Sequence, residues 1–189
     1  MLLACVAVLL GGCSVEGEPS PGEPSAAEPT GLALPPRPRD VPINGVDPCS
    51  LLTEAQRAEL GLDARPVFDL SPSALYPGPE VPACVIGGNV PRAITVGVSV
   101  VTSAGMDVFT SGGLAAELRP TSVLGFPAVV AVPTRFTDYC TVVVEVAPGQ
   151  LLDIQFRDGG RRPPIPQDQL CRDAEGAANA VVQTLLASR

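Results

Sequence analysis

The side chains with chemistry to offer in this sequence are thiols, carboxylates, a few hydroxyls and arginine guanidiniums. Histidine is absent, which removes the one side chain that titrates near neutral pH unaided. Ser-His-Asp and Cys-His nucleophiles and every histidine-bearing zinc site are excluded with it. Glu145 and Asp153 stand on either side of Pro148-Gly149. In one hairpin register the two acids face each other and are placed for acid–base work. In another they are solvated acids on a wet sheet face. Ser103, Ser111 and Ser122 lack the GxSxG or SxxK context that activates a serine. Gly112-Gly113 reads as a helix break rather than a phosphate cradle. Tyr139, beside Cys140, packs on a disulfide, with a pocket wall as the alternative. Arg161-Arg162 reads as a solvated loop, with an anionic lipid or glycan headgroup as the alternative. No catalytic residue, metal or cofactor is expected.

Cys13 closes an apolar run, residues 2–12 (LLACVAVLLGG). That run is too short to span a membrane, which takes about 20 residues, and suits the apolar region of an export signal. No positive residue precedes it, so the true start is expected upstream of Met1. Leu10-Gly11-Gly12-Cys13 resembles a bacterial lipobox, with an aliphatic residue three before the cysteine and small residues between. The resemblance implies diacylglyceryl transfer to the Cys13 thiol, cleavage between Gly12 and Cys13, and acylation, such as by palmitate, of the new amino terminus. Residues 1–12 are then a signal peptide.

Residues 13–46 read as a lipidated cysteine and a disordered tether, because residues 14–46 hold eight prolines, four glutamates and no aromatic residue. A docking peptide in polyproline II form around Leu34-Pro35-Pro36-Arg37-Pro38-Arg39 is the alternative. Residues 47–189 read as one domain. The segment DPCSLLTEAQRAELGL predicts a short helix, with a capping box from Thr53 to Gln56 and a terminating Gly61. Arg65 to Leu70 and Ala83 to Gly87 predict short strands, and Ile94 to Thr102 a longer one. Met106 to Leu118 predicts a broken helix, and Thr121 to Pro133 a kinked strand or hairpin. Cys140 to Ala147 and Leu151 to Arg157 predict a hairpin whose turn has proline and glycine where type II needs them. Gln167 to Ala187 predicts a final helix with Leu170, Ala174, Ala177, Ala178, Val181 and Leu185 as its core stripe. The fold class is α+β, a mainly antiparallel sheet packed with helices.

With Cys5 in the leader and Cys13 carrying lipid, Cys49, Cys84, Cys140 and Cys171 remain. An even set in an exported domain predicts two disulfides. Three pairings are open. Cys49–Cys84 with Cys140–Cys171 is preferred, because each then ties a helix start to a strand start. A zinc site draws on closely spaced CxxC pairs, and the nearest two of these cysteines are 31 residues apart. The net charge is −8 and all twelve basic residues are arginine, so nucleic acid is not an expected partner.

The domain resembles the DUF3558 family of actinobacterial lipoproteins. The matching features are Asp47-Pro48-Cys49-Ser50-Leu51-Leu52-Thr53, Cys84 opening a strand, Cys140-Thr141-Val142 opening another, and Cys171 early in an alanine-rich helix. Val85 departs from the pattern, which has tryptophan there. The resemblance implies an address and a fold, with no activity and no catalytic residues. The expectation is a non-catalytic binding or interaction domain, lipid-anchored on the extracytoplasmic face of the cell membrane. Its candidate partners are an envelope protein, a glycan or a lipid. A carrier of lipid or another small hydrophobic ligand and a carboxylate-based hydrolase are the alternatives.

Overall fold

The computed structural model describes residues 32–78, 80–111 and 113–189. The lipobox reading of Leu10 to Cys13 lies outside these residues. A 3-10 turn at Pro48–Ser50 leads into α1 (Glu54–Leu60). Then come β1 (Val67–Ser71), β2 (Val81–Gly88), β3 (Ile94–Val101) and the single turn α2 (Asp107–Thr110). Four strands follow in succession, β4 (Ala116–Val123), β5 (Phe126–Pro133), β6 (Tyr139–Ala147) and β7 (Gln150–Asp158), and α3 (Gln167–Ala187) ends the domain.

The seven strands form one antiparallel sheet in the order β1-β2-β3-β7-β6-β5-β4. Alternation puts Val96, Val98, Val142, Val144 and Ile154 on one face, where α3 packs through the stripe expected from its spacing, extended by Cys171 and Val182. Thr53 and Gln56 form the capping box, and Gly61 ends α1 in the left-handed region at φ 77°. Gln56 does a second job. Its Nε2 donates to the Ala180 carbonyl at 3.0 Å and its Oε1 accepts from the Thr184 hydroxyl at 2.8 Å, so the cap of α1 also fastens α3.

The other sheet face carries a second apolar cluster, including Val101, Val129, Val143 and Leu151. Loops, not a long helix, cover it. Tyr76 from the loop after β1, and Met106 and Phe109 around α2, supply the cover. β5 is buried on both faces as a result, which explains its unbroken apolar sequence FPAVVAVP.

Both disulfides take the preferred pairing. Cys49–Cys84 joins the 3-10 turn to β2, and Cys140–Cys171 joins β6 to α3, with Cα separations of 5.0 and 4.9 Å.

Two expectations need correction. The broken helix over Met106 to Leu118 is one turn of helix followed by the edge strand β4. Gly113 at φ 92° breaks the path, and Ala116 and Leu118 alternate with exposed Glu117 and Arg119 in the period of a strand. Pro120 is tolerated because β4 is an edge. The boundary expected after residue 46 also falls inside packed structure. Val41 and Ile43 are in the core at 3 % and 0 % exposure. A β-bulge between Glu145 and Ala147 leaves the Val146 carbonyl off the β6–β7 ladder, and the Val41 N–H donates to it at 2.8 Å. The Ile43 N–H donates to Gln150 Oε1 at 2.7 Å. Proline density conceals this segment because its register is set by a bulge about a hundred residues away rather than by local periodicity. Ile43→Ala is expected to cost about 2–4 kcal/mol in denaturant unfolding, where a tether residue would cost nothing measurable.

Asp158 ends β7 and shapes the loop into α3. Its carboxylate accepts from the backbone N–H groups of Gly160, Arg161 and Ile165 at 2.8, 2.9 and 2.6 Å. Burial pushes this carboxyl up, but those bonds and the Arg161 charge outweigh it and hold it below the usual range.

Candidate functional site

The loop-covered face holds the candidate site. In the β6–β7 ladder Thr141 lies opposite Gln155 and Val143 opposite Asp153. Asp153 also lies opposite Ser99 on β3. Its position in β7 turns it away from the face carrying Leu152, Ile154 and Phe156 and toward the covering loops. Tyr76 reaches it from the loop after β1. The Ser73 hydroxyl accepts from the Leu75 and Tyr76 N–H groups, both at 3.1 Å, and so shapes the bend that delivers the tyrosine. The Tyr76 ring packs on Phe109 with centroids 6.4 Å apart, and its hydroxyl donates to Asp153 Oδ2 at 2.6 Å.

Beside this pair opens a cleft of about 250 Å³. Leu75, Phe109, Leu114, Ala116 and Phe136 form apolar walls, and Thr141, Asp153 and Gln155 line it from the sheet. Arg135 and Tyr139 line it as well. Thr141 and Gln155 make no side-chain hydrogen bond to another described residue, and among the described residues no side-chain polar atom is buried without a partner. Their hydrogen-bonding capacity therefore faces the cleft. Apolar walls with a few convergent polar groups are the usual build of a small-molecule site.

Burial pushes the Asp153 carboxyl up to about 6, against the lowering effect of the Tyr76 hydroxyl bond. Burial, the Asp153 charge and the same hydrogen bond push the Tyr76 phenol far above its ordinary value. The pair is therefore set at neutral pH as a phenol that donates and a carboxylate that accepts. Because the folded carboxyl holds its proton to higher pH than the unfolded one, Asp153 costs stability as pH rises from its ordinary 3.8 to about 6. Asp153→Asn is expected to remove that slope from urea-unfolding free energies measured across this window. The variant is also expected to be about 1–3 kcal/mol more stable than the native chain at neutral pH.

The sequence left open whether Glu145 faces Asp153, and the register sets them two places apart rather than opposite each other. Glu145 lies opposite Leu151, next to the bulge, and pairs with the Arg37 guanidinium at 2.6 Å. Tyr139 was expected to pack on the neighbouring disulfide. Alternation instead sends Cys140 to the α3 face and Tyr139 into the cleft wall, where the Arg157 guanidinium lies 5.2 Å from its ring centroid. Ser103, Ser111 and Ser122 are exposed and lie outside the cleft lining. Arg161 and Arg162 are exposed in the loop built on Asp158. Tyr76 and Gln155 were not singled out from the sequence. A lone tyrosine in a proline-rich loop is the signal that could have found Tyr76, and the polar face Gln155 shares with Asp153 the one that could have found Gln155.

A larger depression of about 720 Å³ lies between α1 and the β2–β3 turn. It is an open groove lined by Arg57, Arg65 and Arg92 with Glu54 and Asp63, and by small apolar side chains without an aromatic ring.

The model of the family described as a protein of unknown function (DUF3558) matches residues 8–184. The chain belongs to the DUF3558 family. The match takes in the whole sheet, both disulfides and nearly all of α3, so the cleft is built on the family's own framework. No curated protein and no solved structure matches the chain.

Proposed function

We propose that this DUF3558 protein is a membrane-anchored lipoprotein of the cell envelope, held by lipid on Cys13, whose domain binds a small ligand without transforming it. The observation that carries the binding reading is the apolar cleft, with Asp153, Thr141 and Gln155 presenting hydrogen-bonding groups to it. The address rests on Leu10-Gly11-Gly12-Cys13, on a family match that begins at residue 8, and on two disulfides, which persist in oxidising compartments. The lipid reaches the membrane, and the cleft faces an envelope ligand.

The hydrolase alternative needs two carboxylates at one reacting centre. Among the described residues Asp153 lies opposite Val143 and Ser99 rather than a second carboxylate, and Glu145, two places along β6, is paired with Arg37. The lipid-carrier alternative needs an apolar cavity for acyl chains, and about 250 Å³ suits a smaller molecule. The test is native mass spectrometry of the chain after incubation with envelope extract. A retained mass of a few hundred daltons, lost when Ala116→Trp fills the cleft, supports the reading. Retention of nothing, or of a mass indifferent to that variant, contradicts it.

A further inference from the structure

The cleft asks for more than an apolar shape, because its one charged group on the sheet is incompletely served. Asp153 Oδ2 accepts from Tyr76, and among the described residues Oδ1 has no donor and the carboxylate has no ion-pair partner. Tyr76 can only donate here, so the free oxygen presents an acceptor to whatever enters. The aromatic walls, Phe109, Phe136 and Tyr139, offer ring surface that favours cations as well as apolar groups.

We propose that the cleft takes a primary amine on a small apolar body, with its ammonium against the Asp153 carboxylate and its body between the aromatic walls. This rests on the binding reading above and narrows it to a ligand class. A hydrogen-bonding neutral group satisfies the free oxygen only in part. An ammonium also offsets the desolvation that disfavours the charged carboxylate. The cleft volume limits the body to about one ring or a short chain.

Binding of a cation here is coupled to the ionisation of Asp153, which burial moves toward neutral pH. The other charged or titratable groups on this face are few. Tyr76 bonds Asp153 directly. Arg135 and Tyr139 line the cleft, with Arg157 stacked over Tyr139. Further along β6, Glu145 pairs with Arg37. Asp107 on α2 lies near Gly105, as Glu145 does.

The test is isothermal titration of the full chain with 2-phenylethylamine, 2-phenylethanol and 3-phenylpropionate, at about pH 7.5 and about pH 4.5. The amine is expected to bind at least about ten-fold tighter than the alcohol at the higher pH. That advantage is expected to shrink about ten-fold or more at the lower pH, where Asp153 is protonated. In Asp153→Asn it is expected to vanish at both, with circular dichroism reporting that the variant is folded. Equal binding of amine and alcohol overturns the amine assignment and leaves the cleft a binding site. Tightest binding of the carboxylate overturns it in favour of Arg135 as the recognising charge. Binding of none of the three overturns it too, and native mass spectrometry with extract then decides separately whether the cleft binds anything.

Discussion

Replacing Cys140 and Cys171 together by alanine is expected to lower unfolding free energy by about 3–4 kcal/mol, measured by urea denaturation with the other disulfide intact. The bridge closes a separation of 31 residues, and loop-closure entropy of that length accounts for the figure. Position raises its consequence. Cys140 lies at the start of β6, an interior strand, and Cys171 lies in the first turns of α3, the helix that packs chiefly on β6 and β7. Both sulfurs sit in the core, at 0 % and 6 % residue exposure, so alanine also leaves unfilled volume. A loss of this size corresponds to a fall of about 10 °C in melting temperature for a domain of this length. A change below about 1 kcal/mol would mean that α3 docks independently of the bridge.

The second large effect concerns address. Cys13→Ala is expected to shift the chain wholly from the membrane fraction to the soluble fraction and to abolish labelling by radioactive palmitate. Each buried CH₂ of an acyl chain contributes about 0.8 kcal/mol, and stable anchoring takes more than one chain. Among the described residues no helix is long and apolar enough to cross a membrane. On this account the lipid holds the chain, so its loss is all-or-none rather than graded. Continued sedimentation of Cys13→Ala with membranes would remove the lipoprotein half of the proposal and leave the cleft argument untouched.

What could be read from the sequence follows from how local each signal is. α3 was legible from end to end because its apolar spacing repeats over 21 residues, and nothing else in the chain imitates it. The β6–β7 hairpin was legible from alternation and its Pro148-Gly149 turn. Its register was not, because the bulge at Val146 leaves no mark in the local alternation. The bulge sets Glu145 opposite Leu151, two places from Val143, the partner of Asp153, and Arg37 pairs with it there. The disulfide pairing was reachable because each bridge closes within its own half of the chain. The cleft was out of reach for a different reason. Tyr76 and Asp153 meet across 77 residues, with no periodicity linking them, and the loop that brings Tyr76 reads only as proline-rich. β4 was misread because Ala116 and Leu118 have the residue types of a helix. Their alternation with Glu117 and Arg119 in the period of a strand is short, and pairing with β5 at the sheet edge fixes it.

The central claim, a ligand seated over Asp153 on the loop-covered face, is tested most directly by hydrogen–deuterium exchange of the full chain with and without envelope extract. The account predicts added protection in two covering segments, residues 73–76 and 107–116, and in β7 around Asp153, with α1 and the β2–β3 turn unchanged. Protection confined to the Arg57, Arg65 and Arg92 groove, or no added protection anywhere, would contradict it.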